Sequence, residues 1–268
     1  MSRVQRARVA LASPLRVPPT PYKPRTLIAE TALVLLLSLG ASAIYSILSI
    51  IQRLQSTVAL NKQTSTLNAS QASQSWLDLT YQIVGIGLGL VPAVLAVLLV
   101  GREIGNGRRY FGLDRTRLPN DIALGAVLAV AIGIPGLALY AAARAIGANT
   151  TVVASALNDH WWTVPVLIAA AFQNAIVEEV VMIGYLFTRW SQAGWRLGTV
   201  VLGSALIRGS YHLYQGFGGF VGNFVMGLIL GGVYLRTRRV LPLIITHAIL
   251  DIVAFVGYSL LHNHLGWL

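Results

Sequence analysis

The sequence predicts an all-α fold: a polytopic transmembrane helical bundle of about seven spans, with its N-terminus in the cytoplasm. Three observations predict it. Of 268 residues, 55% are hydrophobic and only 11% are charged, whereas a soluble domain carries about 25% charged residues. Apolar runs of or near span length recur along the chain, and one span takes about 20 residues. The basic residues crowd alternate loops between those runs.

Residues 1–25 carry Arg3, Arg6, Arg8, Arg16, Lys23 and Arg25 among five prolines. That composition predicts a disordered basic tail. It does not read as a signal peptide, because the apolar stretch after it is of full span length. Seven apolar runs come next, at about 27–51, 76–100, 121–146, 161–188, 198–214, 220–235 and 240–261. The fifth and sixth are short and are expected to be tilted, broken or buried. Residues 26–150 are therefore expected to supply three N-terminal helices, and 151–268 a helical bundle that carries the polar residues of interest.

The loops assign the sides. The tail, 101–120, 189–197 and 236–239 together hold sixteen Lys or Arg, and the intervening loops hold two, Arg53 and Lys62. Basic loops stay on the cytoplasmic side, so the N-terminus is expected inside and the C-terminus outside. His160-Trp161-Trp162 then opens the fourth span at the outer interface, where aromatic belts lie. The net charge of +11 is thus read as orientation in a lipid bilayer, and no nucleic-acid partner is expected. The expected location is the plasma membrane, as a multi-pass protein. Glycines at small-xxx-small spacing, Gly85/Gly89, Gly218/Gly222 and Gly227/Gly231, predict close helix packing. The absence of cysteine excludes a disulfide, a thiol nucleophile and a thiolate metal site. There is no phosphate-binding loop and no dinucleotide fingerprint.

The polar residues inside the spans carry the functional reading. A charge at the bilayer centre costs about 2.5–3.5 kcal/mol on insertion scales, so Glu178 and Glu179 inside the fourth run need partners. Helical spacing sorts the candidates. Asn174 and Glu178 share a face, with Tyr185 close to it. Glu179 is turned away by about 100°. Arg208 and His212 share a face, as do His247 and Asp251. At about 1.5 Å per residue from the cytoplasmic ends, Glu178 lies roughly 16 Å deep, His247 roughly 12 Å, Asp251 roughly 18 Å and His212 roughly 21 Å. One mid-membrane cavity can collect them all. Intramembrane ionisable residues of this kind mark functional sites.

These residues resemble the CPBP (CAAX protease and bacteriocin-processing, or ABI) family of intramembrane proteases, which includes the type II CAAX prenyl endopeptidases. Glu178-Glu179 followed by Gly184 matches that family's Glu-Glu-x-x-x-Arg motif and the glycine after it. His212 matches the histidine of Phe-x-x-x-His, and His247 to Asp251 matches His-x-x-x-Asn/Asp. The resemblance spans about residues 161–256. Two positions depart from it: the motif arginine falls on Ile183, and the motif phenylalanine falls on Arg208. Arg208 is expected to supply the missing positive charge to Glu179 from the neighbouring helix.

The resemblance implies intramembrane hydrolysis of peptide bonds in membrane-bound substrates, prenylated or otherwise. Glu178, Glu179, His212, His247 and Asp251 are the expected catalytic set, with Arg208 and Asn174 in support. Glu178 would take a proton from water that His212 shares, and His247 would donate to the oxyanion. Asp251 is expected to fix the tautomer of His247. A metal route competes: His212, His247 and Glu178 are plausible ligands for Zn²⁺ or another divalent ion. The alternatives outside enzymology are a catalytically degenerate scaffold or immunity protein and a small-ion or proton transporter. No inverted repeat favours the transporter.

Overall fold

The computed structural model describes residues 15–261. Helix α1 (Pro24–Leu36) and α2 (Leu39–Leu54) are two halves of one apolar stretch bent by 60°. The bend falls at Ser38, whose backbone leaves the helical region and whose hydroxyl donates to the Val34 carbonyl at 2.7 Å. Helices α3 (Ser75–Gly89) and α4 (Val91–Ile104) together make a 30-residue span. A short α5 (Gly107–Tyr110) precedes α6 (Leu118–Ala145). Helix α7 (Thr163–Glu179) runs through a π-helical segment (Val180–Tyr185) into α8 (Leu186–Gln192), and α9 (Leu197–Ser210), α10 (Phe217–Thr237) and α11 (Leu241–Leu261) complete the bundle.

Five of these spans are long and apolar enough to cross a membrane, six counting the bent pair, among the described residues. With the shorter apolar α9 they account for the seven apolar runs, and the all-α polytopic bundle is as expected. The fifth apolar run gives only the 14-residue α9, because the chain turns at Tyr211 into a 3₁₀ turn at Leu213–Gln215. At about 1.5 Å per residue α9 reaches roughly 21 Å, short of a core about 30 Å thick. Lipid-facing surface is evident elsewhere: Val127, Val130 and Ile134 on α6 are 65%, 61% and 69% exposed.

The loops sort to two ends as their charges predict. At the basic end, Arg189 bonds Glu30 at 2.8 Å and also reaches Glu103, and the Gln192 side chain donates to the Pro18 carbonyl at 3.1 Å. The Val240 N–H donates to the Phe111 carbonyl at 2.8 Å, and Arg239 bonds Asp121 and Asp114. At the opposite end, β1 (Thr64–Thr66) pairs in parallel with β2 (Thr151–Val153), Ser65 opposite Val152. The Ser65 hydroxyl donates to the Tyr214 carbonyl at 2.7 Å, and Thr150 donates to the Gln215 carbonyl at 2.9 Å.

The expected basic tail runs to residue 25, and its first fourteen residues lie outside those described. The rest is not free chain. Leu15 is buried, Val17 packs on the core, and α1 already starts at Pro24, a position where proline's missing N–H costs nothing. The glycine pairs differ in role. A Cβ on Gly227 would sit 3.0 Å from the Ala205 backbone and 3.2 Å from Arg208 Cδ, so this glycine lets α10 press on α9 and leaves room for Arg208. Gly85 faces open space, so close packing does not explain it.

Candidate active site

Three helices supply the polar residues, and they meet between α7, α9 and α11. Glu178 and Glu179 end the regular part of α7. Arg208 lies in the last turn of α9, with Tyr211 just beyond it, and His247 and Asp251 lie one turn apart on α11. Glu179 and Arg208 have no exposed surface, His247 retains 3% and Glu178 8%. Burial at this depth is tolerable only because the charges are paired.

Arg208 is the hub. Its Nη2 donates to Glu179 Oε1 at 2.7 Å, and its Nη1 lies 3.4 Å from Glu178 Oε2. The positive charge missing at Ile183 therefore arrives from α9, one helix away. Glu179 Oε1 also accepts from His247 Nδ1 at 2.8 Å. A carboxylate accepts only, so the Nδ1 proton of His247 is fixed by Glu179. The tautomer-setting role expected of Asp251 thus falls to Glu179. Asp251 Oδ1 stands 3.7 Å from His247 Nε2, too far for a hydrogen bond, and its other oxygen lies 3.5 Å from the Asn174 amide.

Glu178 faces the other ring nitrogen. Its Oε2 lies 3.9 Å from His247 Nε2 and accepts from the Tyr211 hydroxyl at 2.7 Å. The sequence does not flag Tyr211, because a phenol at the end of a helix carries no charge. Its spacing of three from Arg208 is the available signal, since i and i+3 share a helix face. His212 lies at the margin. It makes no hydrogen bond to either glutamate, and its Nδ1 donates to the Arg208 carbonyl at 3.1 Å. That bond leaves Nε2 without a proton in the neutral ring. The His212 ring packs on Tyr211 with centroids 4.7 Å apart.

Tyr185 is absent from the site. The π segment adds a residue to the turn and rotates the helix beyond it, so the Tyr185 hydroxyl donates to Glu30 at 2.8 Å near the basic end. Uniform 3.6-residue periodicity cannot foresee such an insertion, and π turns often occur at functional sites. Side-chain exposure at the cluster is uneven: Asp251 retains 20%, Glu178 11% and Glu179 none. Glu178 and Asp251 thus keep some exposed surface where Glu179 keeps none.

The metal candidates do not assemble. Among the described residues no three His, Asp or Glu side chains converge as a metal-binding group. Glu178 is engaged by Tyr211 and Arg208, and His247 Nδ1 by Glu179. The guanidinium also places positive charge where a divalent cation would have to approach both glutamates. The residues present fit a metal-free site better than a zinc centre.

Residues 160–253 match the family model described as Rce1-like, type II CAAX prenyl endopeptidase Rce1-like. The match takes in every side chain of the cluster, from Asn174 to Asp251. No curated protein and no solved structure matches the chain.

Proposed function

We propose, from the match of residues 160–253 to the Rce1-like model of type II CAAX prenyl endopeptidases, that this integral membrane protein is an intramembrane endopeptidase. It would hydrolyse peptide bonds of membrane-associated substrates, prenylated ones among them, using a water activated by Glu178. The observation that carries the reading is the pairing of a partly exposed Glu178 carboxylate with His247 Nε2 3.9 Å away, both held from behind by fully buried groups.

Each residue then has a task. Tyr211 and Arg208 hold Glu178 Oε2 from one side, which leaves the rest of the carboxylate to take a proton from water. The unprotonated Nε2 of His212 shares that water. The resulting hydroxide attacks the scissile carbonyl. Three carboxylates stand against one guanidinium in the cluster, and a second proton on His247 reduces that imbalance. The imidazolium Nε2–H then donates to the oxyanion that develops on the carbonyl oxygen, where such donors lower the barrier most. Glu179 keeps the ring oriented through Nδ1. Asp251, steadied by Asn174, sits beside Nε2 and balances its charge. The proton held on Glu178 passes to the leaving amine as the tetrahedral intermediate collapses. Positioned acid–base groups contribute about 10²–10⁴-fold to such a step.

The test is cleavage of a quenched fluorescent peptide library, with and without a farnesylated cysteine, by the purified full chain. Wild type is expected to cleave. Glu178→Gln and His247→Asn are expected to lose at least about 10²-fold in kcat while keeping the wild-type elution profile. Cleavage that survives both substitutions would overturn the assignment.

A further inference from the structure

The basic end carries a feature that catalysis does not use. The segment 105–117 and the segment 236–240 connect four span-forming helices, α4, α6, α10 and α11, so they lie at the membrane–water boundary. They are fastened to each other. Phe111, with no exposed surface, plugs into the core, and its carbonyl accepts from the Val240 N–H at 2.8 Å. Arg239 lies largely buried between them and bonds Asp121 at 2.8 Å and Asp114 at 3.2 Å. One arginine therefore takes up both nearby carboxylates. The Thr116 hydroxyl and backbone N–H hold the Asp114 carboxyl down to about 2, so that partner stays ionised at any physiological pH.

The outer surface of the two segments is cationic. Arg108, Arg109, Arg115, Arg117, Arg236 and Arg238 are all exposed. None of the six makes a side-chain hydrogen bond or ion pair among the described residues. All six are arginine, whose planar fork binds phosphate oxygens in pairs.

Arg238 adds an independent observation. It caps α10 with a left-handed backbone, φ 57° and ψ 30°. Helices that end this way usually place glycine there, because a side chain is strained in that conformation. A cation stands where glycine would be more stable.

We propose that these two segments form one platform that binds the phosphate headgroups of anionic phospholipids in the leaflet it faces. The position argues for lipid over a soluble partner: every arginine of the six lies within a few residues of a span end or on the short helix between two spans. The inference stands apart from catalysis.

The experiment is a thermal-shift titration of the detergent-purified full chain with phosphatidylglycerol, with phosphatidylcholine and inorganic phosphate as separate arms. The expected result is a saturable rise in Tm with phosphatidylglycerol alone. Replacing all six arginines by Gln is expected to abolish it, and replacing them by Lys to weaken it, because an ammonium lacks the paired donors of the guanidinium fork. Arg238→Gly decides the matter even where the sixfold variant fails to fold. It is expected to raise the lipid-free Tm and to weaken phosphatidylglycerol binding on the order of fivefold. Phosphatidylglycerol dependence equal to wild type in Arg238→Gly and in the sixfold variant, or in the former alone where the latter cannot be purified, would overturn the proposal. So would stabilisation by a poly-glutamate peptide but not by the lipid, which would assign the platform to an acidic protein segment.

Discussion

Arg208 Nη2 and Glu179 Oε1 meet at 2.7 Å, and neither side chain has any exposed surface. The pair joins α9 to α7 and, through His247, to α11. Among the described residues, Glu179 Oε2 and Arg208 Nε have no hydrogen-bond partner. Removing one member of a buried pair leaves the other charge unpaired, which costs about 3–5 kcal/mol.

Arg208→Leu is accordingly expected to destabilise the protein by about 3–5 kcal/mol, read as a lowered Tm in detergent. Arg208→Leu combined with Glu179→Gln removes both charges and is expected to recover part of the loss. A double variant no more stable than the single one would show that the ion pair is not what Arg208 contributes.

Tyr211 donates to Glu178 at 2.7 Å, and hydrogen bonds to charged groups are worth about 1.5–3 kcal/mol. Tyr211→Phe keeps the packing and deletes the bond. On the proposed mechanism kcat falls by about tenfold to a hundredfold, while KM stays near the wild-type value. An unchanged kcat would relegate Tyr211 to packing.

Arg208 supplies the charge that faces the two glutamates, so the proposed hydrolysis needs no bound metal. Exhaustive treatment with a chelator, then gel filtration, is expected to leave the cleavage rate unchanged. Loss of activity that added Zn²⁺ restores would reassign Glu178 and the histidines as ligands.

Asp114 titrates outside the spans. Its folded value, about 2, lies below the ordinary 3.8. A depressed carboxylate contributes stability that is fully present above the unfolded value and is lost as pH falls through the folded one. Asp114→Asn is therefore expected to lower Tm at neutral pH, and the gap to wild type should narrow between about pH 4 and pH 2. A gap that stays constant over that range would mean that the bonds from Thr116 do not depend on the charge.

Much of this protein is legible from its residues. Glu178, Glu179, His247 and Asp251 stand out because ionisable groups are costly inside apolar runs, and i,i+4 spacing on α11 puts His247 beside Asp251. The basic loops declare their common end because charge is excluded from the bilayer, and the contacts of Arg189 and Arg239 tie those loops together. Even the replacement of the motif arginine by Arg208 follows from one unpaired charge on α7 and one surplus charge on α9.

Tertiary structure decided what periodicity cannot express. The π segment after Glu179 turned Tyr185 toward Glu30. The early end of α9 brought the Tyr211 hydroxyl onto Glu178 and left a helix shorter than a span. The partner of His247 Nδ1 proved to be Glu179, because interhelical approach, and not spacing along α11, sets which carboxylate comes within 3 Å. Sequence determines which groups must be buried or paired, since that cost belongs to each residue alone. Which pairs form depends on the mutual placement of three helices, and that is fixed by packing, down to the glycine at 227 that leaves room for Arg208.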